Sequence, residues 1–208
     1  VTLANSITLT KTWTPVGVSV PKSFQGTFDG DGNSIIGMKY SAELTGYGSG
    51  FINTAISATI KNVTFDAARI ETENKNIVGI VVAYSYGNSV FENVNVKNSV
   101  VSGFGKVGGI LGMAADTGKI TTFKNCSVTG TTIEGTYNLA GFCGLAQGTC
   151  NVTGSYLSKN TVVFDDGSNY GFGKVTELDT TVSCDGSVAT CAGNGTVIKG
   201  RYIPRAGY

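Results

Sequence analysis

Apolar and polar residues alternate along this chain in short bursts, and the bursts recur. Val63 and Phe65 flank Thr64, Val94 and Val96 flank Asn95, and Cys126 and Val128 flank Ser127. Successive side chains of a strand point to opposite faces, so each burst predicts a short strand with one apolar side. The asparagines that lead these bursts, Asn62, Asn93 and Asn125, stand 31 and 32 residues apart. A second apolar column follows seven residues after the leading Val or Cys, at Ile70, Val101 and Ile133. A third, at Ile80, Ile110 and Phe142, lies beside glycines at 79, 109 and 141, with Gly171 continuing the series. No window sustains a 3.6-residue apolar period, so little helix is expected.

Columns of like residues at a period of about 30 are the mark of a solenoid. The expected architecture is all-β: a parallel β-solenoid with three short strands and three turns per coil. Clear repeats begin near 59, 89 and 119, and a degenerate one runs from about 150 to 173. Residues 1–173 then form a solenoid of about six coils, and 174–208 form a non-repeating segment that caps it or takes part in assembly. At ~4.8 Å per coil the body is only ~30 Å long, and its open strand edges are either covered or used for association. In the last segment Arg201, Tyr202, Ile203, Arg205 and Tyr208 are the candidate assembly residues. The glycines are expected where the backbone turns tightly or passes another layer closely. Val at Gly109 or Gly141 should therefore cost more stability than Val at Thr129.

Composition adds limits to this picture. Charged residues make up 14%, the net charge is +1, and 30 glycines stand against three prolines. Such a balance provides no long-range attraction to nucleic acid or anionic lipid. The longest nearly unbroken apolar run, Ile77 to Tyr84, is too short to span a bilayer. The chain starts at Val1 without a leader, and the expectation is a mature secreted chain whose targeting segment has been removed. Among five cysteines, Cys184 and Cys191 frame a turn-rich loop and are the candidate disulfide in an oxidising compartment. Cys126 takes the place of Val63 and Val94 and reads as a small buried hydrophobe. With no histidine in the chain, mixed Cys/His zinc sites and His-dependent triads are excluded.

The opening segment adds a likeness. Trp13-Thr14-Pro15-Val16-Gly17, then Phe24-Gln25-Gly26-Thr27-Phe28-Asp29-Gly30-Asp31-Gly32-Asn33, then the Asn-Val and Val-Gly-Gly-Ile-Leu-Gly elements, together resemble GLUG-motif proteins. The likeness covers about residues 1–145 and weakens to 173. It implies a right-handed parallel β-helix on secreted or surface proteins of bacteria and their phages, often adhesin-like. The chain departs from that pattern by a second aspartate, Asp31, and by its non-repeating end. The motif is structural and brings no catalytic residue.

Candidate chemistry is sparse. Asp29, Asp31 and Asn33 have the D-x-D-x-N start of a calcium loop, but Tyr40 stands where a bidentate Glu is needed, and a turn is the simpler account. Asp165-Asp166 is an adjacent pair without the separation that glycoside hydrolysis requires, and it too reads as a turn. Gly103-Phe104-Gly105-Lys106 and Gly171-Phe172-Gly173-Lys174 lack phosphate-loop spacing. The outward columns Thr64/Asn95/Ser127 and Asp66/Lys97/Thr129 are polar without being a threonine array of the ice-binding kind. Tyr47, Tyr84, Tyr86, Tyr137 and Tyr170 near turns would offer a glycan-facing or subunit-facing surface. The expectation is a non-catalytic extracellular structural or adhesive subunit with no cofactor, forming a homo-oligomer or filament. The rival is a carbohydrate-binding or carbohydrate-cleaving β-helix.

Overall fold

The computed structural model describes residues 1–40, 48–72, 76–164, 172–176, 183–185 and 196–200. Its strands stack as a parallel β-solenoid of about five turns, with almost no helix. The six coils expected were one too many, because the first rung is reduced to the two-residue strands Ile7–Thr8 and Thr12–Trp13 and to single bridges at Val16 and Phe24. Each full coil contributes to four sheets where three strands per coil were expected, and in the coils that begin at Thr27 and Ile120 the long-face stretch is itself split in two. In the second full coil the four strands are Thr59–Asp66, Arg69–Glu71, Ile77–Gly79 and Val82–Tyr86. The apolar run that reads as one strand in sequence is two, bent at Gly79-Ile80-Val81. The four strands belong to four separate sheets, here called the long, second, third and fourth faces.

Register follows the repeat. Val63 pairs with Val94, Phe65 with Val96, and Val96 with Val128, and all of these side chains are buried. The second column is also as expected, with Ile70, Val101 and Ile133 level with one another and fully buried. The third is corrected. Gly79 pairs with Gly108, not Gly109, and Val82 with Leu111, so Val81 rather than Ile80 lies level with Ile110 and Phe142. The resemblance of Gly79-Ile80 to Gly109-Ile110 misleads because both Ile80 and Val81 are buried at this corner.

The bore is filled by aromatic and aliphatic stacks. Phe91 lies parallel to Phe123 with centroids 5.0 Å apart, and Phe123 continues to Phe142 at 5.6 Å. Near the first rung, Trp13 stacks on Phe51 at 4.8 Å while its Nε1–H donates to the Phe51 carbonyl. Each fully buried side chain contributes about 1.5–3 kcal/mol of transfer free energy, and each aromatic pair about 0.5–1.5 kcal/mol more.

Corners interrupt the ladder bonds, and small polar side chains repair them. Asn62, Asn93 and Asn125 all adopt φ of 52–54°, as Gly154 does at 58° in the next coil. Asparagine and glycine tolerate this left-handed conformation, which bends the long face at the same level in four successive coils. At the two ends of the long face Ser89 and Ser99, and at its bend Ser155, are buried and accept the backbone N–H groups of Ala58, Ala68 and Cys126 at 3.3, 3.0 and 2.8 Å. Buried donors that lack a strand partner thereby keep a hydrogen bond.

The third and fourth faces meet at backbone distance. A Cβ on Gly112 would lie 2.8 Å from Val78 N and 2.7 Å from Ala83 O, and one on Gly144 would lie 2.6 Å from Val107 N. Each fourth-face glycine thus packs against the third face of the preceding coil. Where the fourth face carries a methyl, at Ala83, the facing residue is Gly48. Beyond the repeats, Ser183–Asp185 pairs antiparallel with Thr149–Thr153, and Phe172–Thr176 pairs antiparallel with Thr196–Gly200.

Candidate functional site

The outer side of the long face carries the most organised polar surface among the described residues. The left-handed conformation at Asn62 and Asn93 brings their side chains into one file. Asn93 Nδ2 donates to Asn62 Oδ1 at 2.8 Å, and Asn62 Nδ2 donates to Asp29 Oδ1 at 3.0 Å. Asp29 also accepts the Asp31 backbone N–H at 2.9 Å and pairs with Lys61 Nζ at 3.1 Å. These partners, the Asp31 amide first, then Asn62 and Lys61, hold the Asp29 carboxyl below its ordinary range. Alongside the file runs a shallow groove of about 390 Å³ lined by Asp31, Gly32, Asn62, Thr64, Asn93 and Asn95.

Flanking columns are cross-linked in the same coil-to-coil sense. Ser127 Oγ donates to Asn95 Oδ1 at 2.6 Å, and Asn98 Nδ2 donates to Asp66 Oδ1 at 3.1 Å. Lys97 pairs with Asp66 at 3.3 Å, and Lys124 with Glu92 at 2.7 Å, a contact that lowers the Glu92 carboxyl. Pairs as exposed as these contribute little each, typically under about 1 kcal/mol. Chemically the groove presents amides and a hydroxyl with the exposed Asp31 carboxylate, and the Lys97–Asp66 and Lys124–Glu92 pairs stand on the same outer side.

The three calcium-loop positions take part in turn and coil-to-coil contacts. Asp29 faces Asn62 and Lys61, Asp31 is exposed on the turn at φ 51°, and Asn33 Nδ2 donates to the Leu3 carbonyl at 3.0 Å. The Asn33 N–H closes the turn on Gly30 O at 2.8 Å. Among the described residues no group of three or more Asp, Glu or Cys is placed to hold a metal ion. Asp165, Asp166, Cys191, Arg201, Tyr202, Ile203, Arg205 and Tyr208 lie outside the described residues. Cys184 falls in the strand Ser183–Asp185, opposite Cys150.

Of the tyrosines singled out, Tyr84 and Tyr86 share the outer side of the fourth face, half-buried, with ring centroids 4.8 Å apart. Burial, then the Tyr86 hydroxyl, pushes the Tyr84 phenol up to about 12. The asparagine file escaped the sequence reading although its signal was there. Asn62 and Asn93 registered only as marks of the repeat, because their contact depends on a backbone conformation that the pattern does not show.

No protein-family model, curated protein or solved structure matches the chain.

Proposed function

We propose that this chain is a non-catalytic structural or adhesive subunit, acting outside the cell and adding its solenoid end-on to another copy so that a surface filament grows coil by coil. The observation that carries this reading is the first rung. Ile7 pairs with Ile35 on one side, and among the described residues no strand lies on its other side. Ile35 is fully buried, whereas Ile7, Leu3, Leu9, Trp13 and Phe24 are only partly covered. Val16, Val18 and Val20 beside them are 42–50% exposed. An apolar bore that ends in half-covered side chains, next to an unpaired strand edge, favours a further rung. Stacking of one end on the other is a heterologous contact, which continues as a filament unless the rotation closes. The likeness of the repeats to GLUG motifs supports the extracellular placement.

Sedimentation and electron microscopy across a concentration series test the proposal. The wild type should form filaments or a growing series of oligomers, and Ile7→Lys, which sets a charge at the open bore, should abolish them. A wild type that stays monomeric throughout would overturn the reading. Deleting 196–208 asks separately whether the last segment takes part: a truncated chain that forms the same fibres has no need of it.

The amide-lined groove favours a second reading, a carbohydrate-binding or carbohydrate-cleaving β-helix. A glycan array and a reducing-end assay separate the two, since a purely structural subunit shows neither binding nor turnover.

A further inference from the structure

The fourth face and the corner that follows it carry two inward columns. One runs Ile52, Val82, Leu111, Cys143, and the other Ala58, Ser89, Thr121, Cys150. In the coil of Val82 and Ser89 the two columns are seven residues apart, and in the coil of Cys143 and Cys150 they are again seven apart. Among the described coils only this one places cysteine in both columns. Both thiols are fully buried in the common core, and both are unbridged. Cys143 and Cys150 flank one corner of the same buried core, with Cys150 acting on the Cys143 thiol as a neighbour, and the Cys143 thiol also reaches the Leu145 carbonyl at 3.2 Å.

We infer that Cys143 and Cys150 form a disulfide that ties the fourth face of the last complete coil to the long face of the next. Two buried cysteines that face one core from either side of a single corner are placed for a bridge with little backbone movement. The oxidant is a small-molecule disulfide. One protein thiolate attacks it and releases one small thiol, and the second protein thiolate attacks the mixed disulfide and releases the other. Two electrons pass from the protein thiols to the small disulfide, and the two thiol protons end on the released small thiols. Burial pushes the Cys143 thiol well up, so the folded, reduced protein reacts slowly and the bridge closes during folding. The bridge is distinct from the Cys184–Cys191 pairing expected from sequence and from a link to Cys184, which lies opposite Cys150 in the antiparallel pair.

The test is to refold the full chain from reduced, denatured protein in a mixture of reduced and oxidised glutathione, alkylate it in denaturant, and map peptides without reduction. Trypsin leaves Asn125–Lys159 as one peptide containing Cys126, Cys143 and Cys150. The expected product carries a single alkyl group, on Cys126, and lacks two hydrogens. A Cys150–Cys184 link, or alkylation of both Cys143 and Cys150 in natively folded protein, would overturn the inference. The variant Cys143→Val/Cys150→Ser copies the Val82/Ser89 coil and keeps the corner filled. Reductant should lower the melting temperature of the wild type by more than that of this variant, and equal shifts would also count against the bridge.

Discussion

Replacing Gly112 by alanine adds one carbon to the structure, and the back-to-back contact of the third and fourth faces determines what that carbon costs. The new Cβ would sit 2.7 Å from Ala83 O, 2.8 Å from Val78 N and 2.9 Å from Ile77 Cγ2. Two of these neighbours are backbone atoms held by pairing with adjacent coils, so the side chain cannot relieve the overlap by a rotamer change. Val78 is tied through its pairing with Val107 and Ser49, and Ala83 lies in a strand bonded on both sides. Overpacking of a closed core costs about 1–3 kcal/mol, and contact with fixed backbone belongs in the upper half of that range. For a chain of this size each kcal/mol shifts the midpoint by about 2–4 °C, so a loss of about 2 kcal/mol lowers it by about 4–8 °C. Thermal melts followed by far-ultraviolet circular dichroism, on the wild type, Gly112→Ala and Thr129→Val, measure this directly. Thr129 lies on the outer column opposite Lys97 and should tolerate valine. If Gly112→Ala melts with Thr129→Val, the two faces are not in backbone contact and the account of this corner fails.

Further outcomes follow from the corners and the outer columns. Gly109→Val and Gly141→Val, whose added atoms meet Val128 and Leu157 side chains, should each melt below Thr129→Val, and equal midpoints would remove the packing argument. Asn93→Ala should lose more stability than Asn93→Gly, by about 1 kcal/mol, since glycine keeps the left-handed backbone while both lose the file; urea titration decides the order. Asp29 and Glu92 have folded carboxyls below their ordinary range, so their stabilisation is present above about pH 4, the unfolded carboxylate range, and is lost as pH falls through the lower folded values. Melts at neutral and acidic pH should converge partly in Asp29→Asn, and an unchanged acid dependence would refute the role of Asp29. Burial raises the Cys126 thiol to about 12, so a thiol reagent at mildly alkaline pH should label it only after denaturation; rapid labelling of the folded protein would contradict its burial.

The amino-acid sequence determined the features that depend on alternation and period. The phase of Val63, Val94 and Cys126, the column of Ile70, Val101 and Ile133, and the stacking of coils at 31 and 32 residues can all be read from it, because a strand's two sides and a solenoid's repeat are properties of order along the chain. Only the tertiary structure decided what happens at the corners. The division of Ile77 to Tyr86 into two strands, the level shared by Val81, Ile110 and Phe142, and the glycine contacts offset by one coil depend on which backbone atoms face each other across turns. The same holds for the candidate site. Asn62 and Asn93 were conspicuous in sequence, yet they become a hydrogen-bonded file only because a positive φ at each level turns both side chains the same way. The two cysteines of the last complete coil were likewise plain to see at seven residues apart, and only the stacking of the coils shows that both face the same core from either side of one corner.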